Sequence, residues 1–589
     1  MIRHIPLALS ALLLAGTSPL ATAPAFAQAA PAVANQADAR LRALYEAEWK
    51  WRQAEFARVE GENGANEASD HLPKVDATSQ LRRLAYWKKA LAELDAIPAD
   101  QLSDEERINA AVFRTSLEAF VANGKYRDWE KPFDSDSSFW AGLNPRQGYR
   151  TAEEYRRYIG RMRDLPRYFD EQMVNMRAGL KRGFSVPRAT LEGRDLSIVP
   201  FANPDIAKNP FFAAFTMMPS RIPAAEQEAL RKEAEAAIRE SVIPAYTKLL
   251  QMFRTEYLPK ARTSISAEAL PDGKAFYAAQ IKEYTTLDLT ADQIHEIGLK
   301  EVARIQAEMQ QVMRDSGFTG TFEEFLVFLR TDPQFYAKTP DELMGFSSYV
   351  AKRVDGKLGD TIGRLPRSTF TILPVPDAIA PFYTAGRGGL GSCLMNTYDL
   401  PTRPLYNITA LTLHECAPGH SFQAALAREQ PERPAFRRQT YFSGYGEGWG
   451  LYTEWLGIGM GVYRTPYDHF GRLSYEMWRA CRLVIDTGVH SKGWTRQQAI
   501  DYLASHTALS KHEVTTEVDR YISWPGQALA YKLGELTIRR MRAEAEKELG
   551  TKFDIRKFHS MLLALGSVPL PELEAQVRAF IATSKAVKS

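Results

Sequence analysis

Cysteine is scarce in this chain of 589 residues, which contains three of them: Cys393, Cys416 and Cys481. So few cysteines exclude the framework of several disulfides on which small secreted domains depend. A single disulfide would be compatible with an oxidising compartment, but the sequence does not indicate which two cysteines would form it.

Long hydrophobic runs are absent after the N-terminal segment, so no later part of the chain is predicted to cross a membrane. The N-terminal segment has a basic residue at Arg3, an apolar run over residues 5–15 and a small-residue pattern that ends at Ala27. This order is typical of a secretory signal peptide cleaved after Ala27, whereas the alternative, a membrane anchor, would need a longer apolar run. No cysteine follows the run, so a lipid anchor is not expected. We therefore expect residues 28–589 to form an exported protein, periplasmic or secreted.

An excess of one charge is also absent, because 74 lysines and arginines oppose 71 acidic residues and leave a net charge of +3. With no basic stripe and no nucleic-acid motif, nucleic acid is not an expected partner, nor is a membrane after signal cleavage. The length allows one catalytic domain over residues 28–589, or two lobes over residues 38–360 and 361–589. The oligomeric state is not indicated.

Helical patterns dominate the mature sequence. The motif Ser/Thr-x-x-Glu/Gln, which satisfies free backbone N–H groups at the start of a helix, begins at Thr290, Thr339 and Thr495. Apolar residues recur at helical spacing over residues 224–253 and 291–313, and again near the C-terminus. The sequence therefore predicts a mainly α fold.

Three segments interrupt the helical pattern. Residues 184–211 are rich in proline and have no period, so we expect a long loop there. Residues 367–376 predict one strand that ends at prolines. Residues 385–400 begin as a glycine-rich loop and are expected to finish as a short edge strand. A small β or irregular region is thus predicted just before the segment that carries the chemistry.

That segment, LTLHECAPGHSF, contains His414, Glu415 and His420. In the zinc motif H-E-x-x-H, a four-residue spacing puts both imidazoles on one helix face, whereas six residues would turn the second away by about 120°. Pro418 and Gly419 argue against a regular helix, because proline cannot donate an N–H and glycine permits unusual backbone angles. We expect an overwound or bulged turn that brings the histidines together; the alternative is two unrelated histidines.

A third metal ligand is expected from the segment YFSGYGEGWGLYTEWLG. There Glu447 stands among four glycines that allow a close approach of backbones. Glu447 is predicted to begin a helix, with Glu454 two turns on along roughly the same face. The alternative is that the helix dipole simply favours Glu447 at a helix N-terminus.

The patterns H-E-x-x-P-G-H and Y-G-E-G-W-x-L-Y-x-E together resemble the bacterial DUF885 family. Residues 479–499 and 517–536 carry the same likeness, which covers most of the mature chain and is most specific over residues 380–540. The family is predominantly helical, often exported and related to gluzincin-type zinc metallopeptidases. The resemblance therefore implies a large helical, zincin-like fold with a deep cleft.

Carried onto this chain, the resemblance implies His414, His420 and Glu447 as the ligands of one zinc ion per chain. It also implies Glu415 as the general base that takes a proton from metal-activated water. The ligand set would also suit manganese or cobalt. Cys416, inside the motif, would be either a small apolar residue or a redox-sensitive thiol beside the metal.

Polar residues further along the chain are candidates for stabilising the reaction's oxyanion. We expect this donor among Arg482, His490 and Tyr521, and Asp486 lies one turn before His490 as its orienting partner. The alternative for Arg482 is an ion pair with Asp486 on a single helix.

Other polar residues are candidates for binding the substrate. Gln527, Tyr531 and Lys532 could hold a terminal carboxylate; the alternative is that Tyr531 packs in the core and Lys532 is solvated. Arg387 and Asn396 could orient the substrate backbone, or could be a solvated loop arginine and a turn asparagine.

These features favour an exported zinc-dependent hydrolase that cleaves the peptide bonds of short peptides, like a carboxypeptidase or dipeptidase. One alternative is a metal-dependent amidase or isopeptidase that acts on a conjugated amino acid or a cell-wall fragment. Another is a non-catalytic peptide-binding protein, which would have no need of a general base at Glu415.

Overall fold

The computed structural model describes residues 35–60, 66–135, 137–145, 148–377, 380–430 and 433–586. The predicted signal peptide lies outside the described residues. Helices form most of the described chain, which confirms the prediction of a mainly α fold. None of the described helices is both long enough and apolar enough to span a bilayer.

The helices described before the central sheet lie between residues 36 and 361. They are α1 (Gln36–Glu55), α2 (Ala77–Asp95), α3 (Asp104–Tyr126), α4 (Ala152–Arg182), α5 (Ala224–Ala237), α6 (Ile243–Met252), α7 (Leu258–Lys260), α8 (Gly273–Thr285), α9 (Ala291–Asp315), α10 (Phe322–Thr331) and α11 (Pro340–Thr361). Wide π-helical turns join α5 to α6 and α6 to α7, and a proline lies two residues after each turn. Residues 184–211, predicted as a loop, contain short 3-10 turns.

The helices after the central sheet carry the candidate site. They are α12 (Leu405–Glu415), α13 (His420–Arg428), α14 (Ala435–Gln439), α15 (Ser443–Gly459), α16 (Pro466–Ser491), α17 (Arg496–His506), α18 (Lys511–Ser523), α19 (Ala530–Leu549), α20 (Ile555–Leu565) and α21 (Leu570–Ala586).

The predicted helix starts are confirmed by their capping contacts. Thr290 and Thr495 each form the complete reciprocal capping box at the start of α9 and α17. Thr339 caps α11 by accepting the N–H of Glu342. The Glu342 carboxylate accepts the N–H of Lys338 instead of that of the capping residue, so this box is incomplete.

Two small sheets accompany the helices. Strands β1 (Arg58–Glu60) and β2 (Asn66–Ala68) form an antiparallel pair. Strands β3 (Thr371–Pro374), β4 (Gly386–Gly389) and β5 (Ser392–Met395) form the central sheet in the order β3-β5-β4, with β5 parallel to β3 and antiparallel to β4. The strand predicted within residues 367–376 is confirmed as β3. The prediction for residues 385–400 was wrong in one respect: the glycine-rich stretch is itself the edge strand, and β5 is central.

Helix α16 lies in the middle of the main core and is buried along most of its length, against α9 and α12. This core draws on residues from Ala37 to Ile581, and therefore from both sides of residue 360, where two lobes were considered. A second apolar cluster packs around α4, α5 and α6. Because α16 is buried, its charged side chains need partners in the interior.

Candidate metal centre

Two helices, not one, carry the HECAPGH segment (residues 414–420). Helix α12 ends at Glu415 and α13 begins at His420, with a cis peptide bond between Ala417 and Pro418. The carbonyl of Pro418 accepts the indole N–H of Trp449 at 2.8 Å. The prediction of a bulged turn inside one helix was therefore wrong, because Pro418, which has no N–H, lies where α12 has already ended.

Side chains from α12, α13 and α15 meet at one point. His414 Nε2 lies 3.4 Å and His420 Nε2 lies 3.3 Å from Glu447 Oε2. One candidate ligand atom from each residue lies within 4.8 Å of the other two. The structure thus brings together the three residues that were predicted as ligands. Glu447 stands in the second turn of α15, which begins at Ser443, and does not begin the helix as expected.

Helix α15 also holds His414 from its other side. Glu454 Oε1 lies 2.7 Å from His414 Nδ1, so one face of α15 contacts the imidazole through both Glu447 and Glu454. Between them, Gly450 lets the helix backbone approach, because a Cβ at this position would lie 2.8 Å from His414 Nε2. The predicted shared face of the two glutamates is confirmed.

The electrostatics of the cluster favour a positive charge between its side chains. Burial disfavours the charged form of His414, but Glu447 and Glu454 outweigh burial and raise its pKa to about 9. Burial would raise the pKa of Glu447, yet His420 and His414 hold it well below its ordinary value. Two imidazoles and a carboxylate are the donors that zinc takes in hydrolases, and a divalent cation would replace the proton held here. The residues therefore fit the ion that the resemblance implies.

Strand β4 and a disulfide position Glu415 beside this cluster. The N–H of Gly388 donates to Glu415 Oε2 at 2.6 Å, and a Cβ at Gly388 would lie 1.8 Å from the Glu415 carbonyl oxygen. Only glycine allows this approach. Cys393 of β5 forms a disulfide with Cys416, the residue after Glu415. This pairing answers the question that the sequence left open, and Cys481 is free and buried.

The cluster lies at the wall of a cleft of about 1280 Å³. Helices α12 to α16 and α18 to α20 and strand β4 contribute to its walls. Aromatic side chains line the cleft together with charged ones. Among them, the Tyr441 hydroxyl donates to Glu447 Oε1 at 3.3 Å.

Three of the residues predicted to bind the substrate or its oxyanion line this cleft: Arg387, Arg482 and Tyr531. The guanidinium of Arg482 lies 4.3 Å from the centroid of the Tyr531 ring, which lies 6.5 Å from that of His414. Arg482 pairs with Glu517 at 3.0 Å, so the alternative of an ion pair with Asp486 was wrong. These contacts place Arg482 and Tyr531 on the side of the cleft next to the candidate ligands.

His490 is buried away from the cleft and is not available as an oxyanion donor. Its Nδ1 accepts the N–H of Ala267 at 3.0 Å, and its Nε2 donates to the carbonyl of Tyr521 at 2.9 Å. Burial lowers its pKa to about 3. Asp486 accepts from the Tyr277 hydroxyl and the Gly526 N–H, and not from His490. The catalytic role predicted for His490 is corrected to a structural one, because both ring nitrogens are already bonded.

Tyr521 also lies outside the cleft lining. Its hydroxyl accepts from Trp478 Nε1 at 2.8 Å and from Arg482 Nε at 3.0 Å. The phenol is therefore buried behind two residues of the cleft wall and supports them. The predicted contact between Tyr521 and a substrate oxyanion is not compatible with this position.

Gln527, Lys532 and Asn396 are likewise absent from the cleft lining. Gln527 Oε1 accepts from Arg520 Nη1 at 2.7 Å. Lys532 is neither solvated nor in contact with the cleft, because it is fully buried within 3.0 Å of three glutamates, Glu301, Glu476 and Glu535. The Asn396 amide donates to three carbonyls of the preceding loop, those of Ala380, Tyr383 and Thr384. All three predicted substrate contacts are corrected to internal ones.

Several residues of the site were missed by the sequence predictions. Arg479, Glu517 and Arg520 line the cleft, and none of them was a candidate. Spacing offered a signal, because Arg479 lies one turn before Arg482 and Glu517 one turn before Arg520. Spacing could not show that these helix faces turn toward the cleft, since helix packing decides that.

The fold and the site together thus define a class of protein: mainly α, with a His-His-Glu cluster at the wall of a cleft. The chain belongs to the family described as bacterial protein of unknown function (DUF885), whose model matches residues 55–577. This match confirms the resemblance found in the sequence. A comparison with curated proteins finds no match.

Two solved structures share the fold over nearly their whole length. A candidate lipoprotein from Colwellia psychrerythraea is 26% identical, with a TM-score of 0.85 over 93% of this chain and 99% of that one. A candidate lipoprotein of unknown function from Shewanella oneidensis is 18% identical, with a TM-score of 0.67 over 92% of this chain and 99% of that one. The second likeness concerns the fold alone. Lipoproteins are exported, so the likeness to the Colwellia psychrerythraea protein is consistent with export of this chain.

Proposed function

We propose that the mature chain is an exported zinc-dependent hydrolase that cleaves peptide bonds in short peptides. The observation that carries this proposal is the meeting of His414, His420 and Glu447 within 4.8 Å at the wall of a cleft that Glu415 also lines. Catalytic zinc sites use three such protein ligands and leave a further position for water or substrate. A protein that only binds peptides would have no use for a base at Glu415.

Each residue of the group has its own task in this proposal. His414, His420 and Glu447 would hold the zinc ion, which when bound polarises a carbonyl and lowers the pKa of water. Glu415 accepts a proton from the attacking water and passes it to the leaving amine. Glu454 engages Nδ1 of His414, which leaves Nε2 as the nitrogen that faces the ion.

The oxyanion donor in this proposal is Tyr531, in place of Tyr521. Tyr531 lines the cleft, and its ring lies 6.5 Å from that of His414. A phenol so placed can donate to a carbonyl oxygen as negative charge develops on it. Tyr441, another phenol of the cleft lining, already donates to Glu447.

The volume of the cleft supports a short peptide as substrate. Its volume of about 1280 Å³ somewhat exceeds the roughly 300–1,000 Å³ of sites for small molecules. A few residues of peptide would fill such a cleft, whereas a folded protein would not enter it. In this proposal the predicted signal peptide directs export, so the activity lies outside the cytoplasm, and neither nucleic acid nor a membrane is an expected partner.

Metal content is the first test, on the mature protein purified without chelators or affinity metal. We expect about one zinc ion per chain, lost in His420→Ala. His512→Ala is the matched control, because His512 is an exposed histidine on α18 and is not part of the cluster. Equal metal content in His420→Ala and the parent would exclude His420 as a ligand.

Hydrolysis of mixed peptides is the second test. Glu415→Gln should keep its zinc and lose activity by roughly 10²–10⁴-fold, as expected for the loss of a general base. Cleavage of γ-linked or cell-wall amides, with none of peptides, would favour an amidase or isopeptidase. Absence of metal even after zinc is offered, combined with tight peptide binding, would favour a non-catalytic role.

A further inference from the structure

Arginine dominates the charged side chains of the cleft. Apart from its two histidines, the described lining contains eight arginines, three glutamates, no lysine and no aspartate. The arginines are Arg387, Arg428, Arg433, Arg437, Arg438, Arg479, Arg482 and Arg520, and the glutamates are Glu415, Glu447 and Glu517. A zinc ion would add to this positive excess, so the cleft as a whole favours an anionic ligand.

The three glutamates of the lining are already engaged, and its arginines outnumber them. Glu447 lies against the two histidines, and Glu415 accepts the N–H of Gly388. Glu517 alone pairs with arginines of the lining: Arg482 at 3.0 Å and Arg520 at 2.9 Å. Glu454, behind the lining, lies 3.6 Å from Arg479. On the wall formed by α16 and α18, three guanidiniums thus share two carboxylates in these ion pairs, which leaves a net positive charge.

Arg482 is buried in this wall and is held there by several contacts. It is 2% exposed, with its guanidinium 4.5 Å from the ring of Trp478 and 4.3 Å from that of Tyr531. Its Nε donates to Tyr521 and its Nη2 to Glu517, whereas Nη1 has no partner among the described residues. A buried cation with one unpaired donor in a cleft wall is a ready partner for a carboxylate, which accepts from a guanidinium fork.

The position of Arg482 relates this donor to the candidate zinc ligands. The Tyr531 ring lies close to both, at 4.3 Å from the Arg482 guanidinium and 6.5 Å from the His414 ring. An extended peptide advances about 3.3–3.6 Å per residue. A carboxylate at Arg482 would therefore lie within roughly three residues of a bond held at the ligands.

We propose that the cleft recognises a carboxylate on its peptide ligand, and that Arg482 is the residue that binds it. The carboxylate is either the C-terminus of a short peptide or an acidic side chain close to the scissile bond. The cleavage part of this statement rests on the proposed function, but the recognition of the carboxylate does not.

Binding to the metal-free protein tests recognition separately from hydrolysis. Calorimetry would compare three peptides: Ala-Ala-Ala with a free C-terminus, the same peptide as its C-terminal amide, and N-acetyl-Ala-Glu-Ala amide. We expect at least one of the two peptides that carry a carboxylate to bind roughly tenfold more tightly than Ala-Ala-Ala amide, which has none. Preference for the first identifies the C-terminus as the source, and preference for the third identifies the acidic side chain. Equal affinity for all three overturns the proposal.

Variants test the assignment to Arg482. Arg482→Gln should abolish the preference, and Arg482→Lys, which keeps the charge but not the fork, should retain part of it. Arg540→Gln is the control, because Arg540 lies on α19 and pairs with Glu574 at the exposed surface. If Arg482→Gln fails to fold, the comparison of peptides on the parent protein still decides the proposal.

A different arginine could hold the carboxylate, and one further variant decides this. Arg437 also lines the cleft, and its described hydrogen bonds go to Asn109 and to the Leu565 carbonyl, both neutral. Loss of the preference in Arg437→Gln, with full preference kept in Arg482→Gln, would overturn the assignment. A carboxylate preference in a protein that neither holds zinc nor cleaves peptides would refute the proposed function and leave this inference standing.

Discussion

Replacing Glu454 with glutamine would test how firmly the first histidine of the motif is held. Glu454 Oε1 lies 2.7 Å from His414 Nδ1, and the two side chains are only 1% and 2% exposed, so water cannot replace the carboxylate. Glutamine keeps the volume and removes the charge. Loss of such a partner typically weakens metal binding by about 10–100-fold, or about 1.4–2.8 kcal/mol. We expect the upper part of this range, because Arg479, 3.6 Å from the same oxygen, would lose its neutralising partner.

The assay is competition for zinc against a chelator of known affinity at constant pH. Glu546→Gln is the matched control, since Glu546 is a half-exposed helix glutamate in an ion pair with Arg542. Circular dichroism would establish that each variant is folded before its zinc affinity is compared. A folded Glu454→Gln protein that binds zinc within twofold of the parent would show that Glu454 does not orient His414, or that His414 is not a ligand.

Three further predictions concern the surroundings of the site. Replacing both Cys393 and Cys416 with alanine should lower the free energy of unfolding, measured with urea, by roughly 3 kcal/mol, because the disulfide closes a loop between residues 23 apart. Gly450→Ala should weaken zinc affinity in the same competition assay, although alanine favours helix, because the new Cβ would lie 2.8 Å from the His414 ring. Because burial lowers the pKa of His490 from 6.5 to about 3, its contribution to stability is present above pH 6.5 and is lost as the pH falls toward 3. His490→Gln should therefore flatten the pH dependence of urea unfolding in this window.

Each of these predictions has its own control. The parent protein under reducing conditions should approach the double alanine variant, and equal stability of the variant and the oxidised parent would contradict the first prediction. Gly459→Ala, where a Cβ would meet no atom within 4 Å, should leave zinc affinity unchanged; an equal loss there would show that the effect is not local to His414. His512→Gln removes an exposed histidine of α18 and should leave the acid slope as it is in the parent.

Local patterns predicted those parts of the fold that local forces determine. Thr290 and Thr495 start helices because each side chain bonds a backbone group three residues away, and that distance is visible in the sequence. Strand β5 was misplaced to the edge because its position depends on pairing with β3 and β4. A strand of four residues is too short to show a periodic pattern of apolar residues. The glycines of the neighbouring strand β4 are also typical of a loop, so β4 was not predicted as a strand.

The candidate ligands were predictable for a different reason. His414, His420 and Glu447 lie in two short segments whose proline and glycine content sets them apart from ordinary helices. His490 and Lys532 had no such signal, because a polar residue on a helix shows the same local pattern whether it faces a cleft or a buried partner. His490 is bonded by a backbone N–H 223 residues away, and no spacing rule reaches that far.

Because HECAPGH is divided between two helices, the number of residues between its histidines does not fix the relative direction of their side chains. With four residues between the end of α12 and the start of α13, the direction of each histidine is set by the helix that carries it. Helical pitch does not link the two imidazoles, so a connection one residue longer or shorter could join the same pair of helices. Sequence patterns that require a fixed interval between the histidines would miss relatives in which this connection has a different length. A structural search for three side chains in the relative directions found on α12, α13 and α15 would identify such relatives.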